Sequence, residues 1–457
     1  MIDADYYRDL LRSVFRGRKV IVAVDVLVAA GGTATLLRDL GADPVLALAG
    51  TRGTGTAPDN IEYVLLQTDG APTVVDNIRS FENALQNLPD DARVAIERAD
   101  PEREAIVLGS FFTPPAAIAG RRVYGGRPPA WNALEDKVVI DSFFDSAGIA
   151  RAPSVVTAAT DFAEGLQKFD RGLGVVVAGD AKEGFNGAAE YLRWIRTDED
   201  REGARAFFED HCDEVRLMPF LEGIPCSIHG AVIGGRALAL RPVEMITLRR
   251  PSSRLLYAGC ATYWDPPDDD RAYMRDVARR VGAALRDGHG YRGAFTVDGV
   301  VTEDGFLPTE LNPRAGAGAG PLMAGSGVPY NLLNKAVIED EDLDLRPEEL
   351  EELIVTRADE QRAGGAYSSL PGADWPQQTR LVVRGPSGYR LAADGEDADG
   401  SITLGPSGVG RFALFAPQPA KIAPGASFAP RAIEAFALID REFDAGFGPL
   451  KAAKPAR

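Results

Sequence analysis

Between Tyr291 and Gly320 the chain reads YRGAFTVDGVVTEDGFLPTELNPRAGAGAG, a stretch that admits few conformations. Residues 293–301 are apolar, β-branched and alternating, which makes a strand with Asp298 inside it. Glu303-Asp304-Gly305 is a hairpin turn, residues 306–311 a second strand carrying Glu310, and Asn312-Pro313 ends it. Antiparallel pairing brings Asp298 and Glu310 together, and Glu310 and Asn312, two apart, leave their strand on one face. Two carboxylates facing each other repel unless a cation sits between them. A few hard oxygens suit a Mg²⁺ ion that keeps waters and shares its shell with substrate phosphates, with Mn²⁺ as the alternative ion. Arg314 lies beside them as a fixed cation. The plainer alternative is a hairpin with solvated acids on its outer face.

The same stretch resembles the metal-binding hairpin of the ATP-grasp superfamily, in spacing most like the biotin carboxylase type. That pattern is an acid in the first strand, then Glu-x-Asn-x-Arg twelve residues on, and here it reads Asp298, Glu310, Asn312 and Arg314 after Tyr-Arg-Gly at 291–293.

At 457 residues the chain has room for about two to four domains. A composition 45% hydrophobic and 26% charged is that of a globular chain, not a disordered one. A net charge of −17 argues against non-specific binding to nucleic acid or to an anionic membrane surface. The cysteines, Cys212, Cys226 and Cys260, are sparse, odd in number and in no metal spacing, which suggests reduced thiols. His211, His229 and His289 are scattered and give a histidine zinc site or a Ser-His-Asp triad little to build on. No signal-peptide pattern opens the chain and no apolar run reaches about 18 residues, so a cytoplasmic location is expected.

Residues 1–18 carry Tyr6, Leu10, Leu11, Val14 and Phe15 at helical spacing, and residues 19–25 (KVIVAVD) form a buried, parallel-type strand. Gly31-Gly32 reads as a tight turn, the alternative being an anion site at a helix N-terminus. A helix over 33–40, Gly41 past its end and a strand over 44–49 follow. Residues 51–60 form a glycine-rich loop and 80–88 a helix, with short strands at 92–96 and 105–108. Residues 1–128 are thus expected as an N-terminal doubly wound α/β domain, ending at the proline pairs 114–115 and 128–129. Residues 129–345 are expected as a two-lobed ATP-grasp domain, and 346–457 as a small C-terminal α+β accessory region whose motifs indicate no chemistry.

Within residues 129–345 further motifs carry the resemblance. Residues 131–147 make an amphipathic helix with Leu134, Val138, Phe143 and Phe144 buried, and its Glu-Asp-Lys resembles the family's opening motif. The resemblance implies that Lys137 contacts nucleotide phosphate; a solvated charge is the alternative. Residues 174–187 (GVVVAGDAKEGFNG) resemble the phosphate-covering loop, in which Gly184 and Gly187 let backbone N–H groups approach phosphates. There is one departure: the usual strand-end lysine is Ala178, and Lys182 in the loop is the nearest replacement. Residues 215–228 resemble the hinge strand, where adenine would meet backbone around Met218, Phe220 and Leu221, and Glu222 would accept from ribose hydroxyls. Met218, Phe220 and Leu221 as ordinary core is the alternative.

Residues 229–246 give two strands around Gly234-Gly235, with Arg241 and Glu244 on the second, and Arg241 joins Arg314 as a candidate catalytic cation. Residues 248–267 read as a long loop with Arg249, Arg250 and Arg254, and 268–287 as a helix burying Met274, Val277, Ala278, Val281 and Leu285. Gly316, Gly318 and Gly320 make a flexible loop after Arg314.

The resemblance implies an ADP-forming carboxylate–amine ligase using ATP and Mg²⁺. Its substrates would be a small-molecule carboxylate and an amine, with neither nucleic acid nor membrane as partner, and a homodimer is one assembly open to it. A bicarbonate-using carboxylase is the enzymatic alternative, and a catalytically silent nucleotide-binding or regulatory protein the non-enzymatic one.

Overall fold

The computed structural model describes residues 2–187 and 189–455. The run KVIVAVDV is apolar on both faces, and it forms β1 (Lys19–Val26) inside a parallel sheet. Its neighbours are β2 (Asp43–Thr51), β3 (Tyr63–Leu65) and β4 (Ile106–Leu108), in the order β3-β2-β1-β4. Val20 and Val22 pack with the helices Ala4–Phe15 and Val28–Asp39, and Ile21 and Ala23 with Val74–Gln86 and Asp90–Ala99. Both faces are therefore covered, as expected for a doubly wound unit.

Two sequence expectations are corrected here. Gly31-Gly32 is not a turn but lies inside the helix Val28–Asp39, where a Cβ on Gly31 would sit 3.1 Å from Pro58. Residues 92–96 belong to the helix Asp90–Ala99, not to a strand. Asp90 and Asp91 in its first turn and Arg98 in its last complement the helix dipole, and Ala92, Ala95 and Ile96 share its buried face. Five residues of ARVAI fit either period; the flanking charges favour the helix.

Two antiparallel sheets follow. The small lobe holds β5 (Val155–Ala158), β6 (Val175–Gly179), β7 (Leu192–Ile195) and β8 (Glu214–Pro219) in the order β5-β8-β6-β7. The helices Phe162–Phe169 and Asp198–His211 close its core. The large lobe orders its strands β11-β10-β9-β12-β13: β9 (Ile224–Ile233), β10 (Arg236–Arg249), β11 (Leu255–Ala261), β12 (Gly293–Thr302) and β13 (Gly305–Asn312). The helix Asp268–His289 backs it through Met274, Val277, Ala278, Val281 and Leu285.

Two further corrections fall in this part. The helix expected over 131–147 is broken into a short helix Pro129–Asn132, a 3-10 turn Ala133–Glu135 and a helix Ile140–Ser146, with Asp136 extended. The break frees Lys137 from a helical surface. The supposed loop 248–267 contains β11, which pairs with β10 from Glu244↔Ala261 to Arg249↔Leu255.

The C-terminal region contributes the helix Pro347–Glu360 and a sheet ordered β14-β18-β17-β15-β16. Its strands are β14 (Ala366–Leu370), β15 (Gln378–Gly385), β16 (Gly388–Leu391), β17 (Gly400–Ser407) and β18 (Gly410–Pro417). This sheet shares one core with the large lobe: Ile246, Leu248 and Ala258 pack with Phe415, Phe428 and Phe436. Glu244 holds the start of the helix Ala429–Phe443, accepting from Ser427 Oγ, Phe428 N (2.6 Å) and Ala429 N (3.2 Å). No helix among the described residues is long and apolar enough to cross a membrane.

Arg241, expected as a catalytic cation, is instead a structural one. It is fully buried, pairs with Asp265 and with Asp359 (Nε–Oδ1 2.7 Å), donates to the carbonyls of Pro242 and Trp264, and takes no part in lining the cleft described below. Arg241→Met leaves two carboxylates without their buried partner, and denaturant unfolding should report a loss of about 3 kcal/mol. Burial pushes the Glu244 carboxyl up to about 7. The unfolded chain then releases this proton before the native one, so stability should fall as pH rises from about 4.5 to about 7, at most about 1.4 kcal/mol per pH unit. Glu244→Gln should flatten that part of the stability–pH curve.

Candidate active site

The register of β12 decides the site. Asp298 pairs directly with Glu310 on β13 and with Ser227 on β9; Thr296 pairs with Asn312 and with His229. Partners in register share a face, so six polar side chains form two rows across β9, β12 and β13. Asn312 Nδ2 donates to Asp298 Oδ2 at 2.9 Å, and Arg314 Nη2 donates to Asn312 Oδ1 at 3.0 Å. Burial, and then Glu310 beside it, push the Asp298 carboxyl above its ordinary range. This crowded pair, with the Asn312 amide next to it, is a donor set that fits a divalent cation.

Lys137 enters from the broken helix. Its ammonium is buried and lies 3.4 Å from Glu310 Oε1 and 3.2 Å from Asn186 Oδ1. Asn186 in turn donates to the carbonyls of Gly179 (3.1 Å) and Asp180, tying the loop after β6 to this lysine. Arg314 stands beneath two rings, Phe112 and Phe185, with its guanidinium carbon 5.3 and 5.5 Å from their centroids. Its Nε lies 2.8 Å from Glu135 Oε1, a contact between charges in which the N–H is not aimed at the oxygen.

His229 is buried below the glycine loop. Burial, with Arg314 nearby, depresses it to about 3, so it is neutral. Thr296 Oγ1 donates to the Arg314 carbonyl (3.2 Å) and accepts from Gly316 N (2.9 Å), so His229 Nδ1, 3.2 Å away, is the donor to it. Ser227 Oγ then donates to His229 Nε2 at 3.3 Å. A Cβ at Gly318 would sit 2.5 Å from that nitrogen, which is why the loop can lie this close only as glycine.

These groups line one cleft of about 1010 Å³ between the lobes. Val176, Leu192, Met218 and Phe220 roof it, and Trp194 stacks on Phe220 at 4.1 Å. Tyr367 to Pro371 and Arg411 supply part of a far wall from the C-terminal sheet.

Of the residues expected from sequence, Lys137, Gly187, Phe220, Leu221, Asp298, Glu310, Asn312 and Arg314 all line this cleft. Others do not. Lys182 turns outward and pairs with Asp213 (Nζ–Oδ1 2.7 Å), because Asp180 and Asp213 draw the loop to the surface there. The cation opposite Ala178 is Arg216, its register partner on β8, buried and bonded to Asp141 and to the Thr309 carbonyl. Gly184 has a left-handed φ of +91° but stands off the cleft. Glu222 is held by both Nη atoms of Arg249 and by Lys454 N (3.0 Å), which engages the carboxylate expected for ribose. The Phe220 N–H, expected for a base, already donates to Gly174 O at 3.0 Å. Reading the sequence overlooked Ser227, His229, Thr296, Asn186 and Phe112. The alternation of Ser227 and His229 in PCSIHG was the available signal for the first two.

No protein-family model matches the sequence, and no curated protein matches it. Solved structures do match. N5-carboxyaminoimidazole ribonucleotide synthetase in its ADP complex has a TM-score of 0.53 at 12% identity, covering 94% of this chain and 98% of that one. The L-amino acid ligase of Bacillus licheniformis has a TM-score of 0.50 at 13% identity, covering 88% and 94%. The biotin carboxylase domain dimer of the Hydrogenobacter thermophilus 2-oxoglutarate carboxylase, with MgADP, ADP and bicarbonate, has a TM-score of 0.50 at 15% identity, covering 96% and 91%. The likeness covers nearly the whole chain and rests on its fold: the chain described here has the ATP-grasp fold.

Proposed function

We propose that the protein is an ADP-forming ligase that activates a small-molecule carboxylate as its acyl-phosphate and joins it to an amine. The observation that carries this reading is the meeting of Asp298, Glu310, Asn312, Lys137 and Arg314 at one end of one cleft. Asp298, Glu310 and Asn312 would hold Mg²⁺, or Mn²⁺ in its place; when bound, such an ion offsets the charge of the carboxylates and of the phosphates. Lys137 neutralises phosphate oxygens, and Phe220 and Leu221 border the base. A carboxylate oxygen attacks the γ-phosphorus, the bond to the bridging oxygen breaks, and ADP leaves. The amine then attacks the acyl carbon, phosphate leaves, and the amine gives up a proton. Arg314, planar and aimed by Asn312, stabilises the charge that grows on the transferring oxygens. Catalysis is positioning plus charge neutralisation. Likeness to a carboxylase domain whose structure holds bicarbonate supports a second reading, in which bicarbonate is the acid activated.

Hydroxylamine traps an acyl-phosphate as the hydroxamate, so a panel of acids with ATP and hydroxylamine should yield hydroxamate and ADP. ADP release driven by bicarbonate alone would favour the second reading, and AMP with pyrophosphate would sink both. Glu310→Gln should keep the fold and lose turnover by about 100-fold or more, because an amide cannot balance a divalent ion. Arg314→Lys should lower kcat by about 10- to 1000-fold with a much smaller change in the KM for ATP. Lys137→Ala should raise the KM for ATP roughly 10-fold, whereas Lys182→Ala, at a surface pair, should leave it within about twofold.

A further inference from the structure

The ligase reading leaves the carboxylate unidentified; the cleft narrows its chemistry. Two phenyl rings flank Arg314, and further apolar side chains line the same cleft. Phe111 and Phe112 come from the connection after β4, Phe185 from the loop after β6, and Val74 and Ile78 from the first turns of the helix Val74–Gln86. The Phe112 and Phe185 rings are 4.3 Å apart, and both flank the guanidinium. Arg314 is itself one of the residues that line the cleft.

The acids carry the second half of the argument. Among the described residues lining the cleft they are Glu190, Asp298 and Glu310. Glu190 is paired with Arg254, and Asp298 and Glu310 belong to the proposed metal set. None is left to receive an ammonium group. Against the Phe112 and Phe185 rings a substrate cation would find no carboxylate and would face the Arg314 guanidinium already seated there; a second carboxylate would meet phenyl rings, whereas an apolar substituent gains by leaving water.

We infer that the acid activated at this site is a monocarboxylate with an apolar, aromatic-sized substituent and no cationic group. Its carboxylate meets Arg314 and its substituent lies against Phe112, Phe185 and Ile78. Free α-amino acids are selected against by their ammonium. This inference rests on the ligase reading and names the substrate class within it.

Calorimetric titration of the full chain, saturated with ADP, tests the class without requiring turnover. The probes are 3-phenylpropionate, L-phenylalanine (the same skeleton with an ammonium) and succinate. 3-Phenylpropionate should bind at least about 10-fold more tightly than either of the others. Phe112→Ala should weaken it about 10-fold, and Ile78→Asp should weaken it and improve L-phenylalanine relative to it, with ADP affinity as the check that each variant is folded. Absence of 3-phenylpropionate binding, or equal binding of L-phenylalanine or succinate, overturns the inference. Hydroxamate formation separates the two claims. Selective binding of 3-phenylpropionate without any hydroxamate removes the ligase reading and leaves the site's preference standing. Hydroxamate formed preferentially from L-phenylalanine or succinate keeps the ligase and overturns the class.

Discussion

Everything at the site depends on how β12 is registered between β9 and β13. A slip of one residue would turn Asp298 and Thr296 to the helix-covered face, because side chains alternate along a strand. What prevents the slip is the opposite face: Phe295, Val297, Leu311 and Ile228 are all fully or nearly fully buried against the helix Asp268–His289. The hydrophobic core of the large lobe therefore holds two carboxylates together that would otherwise separate. Gly299 helps at the bulge beside Asp298, where a Cβ would meet the Leu307 carbonyl at 2.4 Å.

Charge in the cleft is arranged around that pair. Lys137 and Arg314 approach it from opposite sequence directions, one from the broken helix and one from the end of the hairpin. Glu135 sits between Arg314 and Arg127, and Arg127 donates to the carbonyls of Phe111 (2.8 Å) and Pro313 (2.7 Å). One buried guanidinium thus fixes the N-terminal connection to the hairpin. His229, neutral, adds no charge below Arg314; its role is to hold, through Thr296, the backbone that carries the arginine and the glycine loop.

The C-terminal region is less of an appendage than its position in the chain suggests. Its sheet shares a core with β10 and β11, and its β17–β18 turn accepts from the N–H groups of Gly70 (2.8 Å) and Ala71 (3.2 Å) at Gly408 O. It therefore touches both the large lobe and the loop that follows β3, and its strand β14 walls the cleft. No motif in residues 346–457 announces this, since docking surfaces are built from ordinary apolar residues such as Phe415 and Phe428.

Local pattern alone determined the hairpin, the meeting of Asp298, Glu310 and Asn312 on it, the long helix after residue 268 and the central strand at 19–26, because each is decided by periodicity or a turn within a short window. The helix at 90–99 was misjudged because five residues fit two periods, and β11 was overlooked because arginines and prolines at its start resemble a loop. Side-chain partners were beyond local reading. Arg241 and Glu222 have the residue type for chemistry, but Asp265, Asp359 and Arg249, distant in sequence, claim them. Lys182 and Lys137 are both lysines near a glycine-bearing loop; only tertiary packing sent one to Asp213 at the surface and the other to Glu310 in the cleft. Sequence spacing decides which face a side chain leaves from, and long-range charge pairing decides where its end goes.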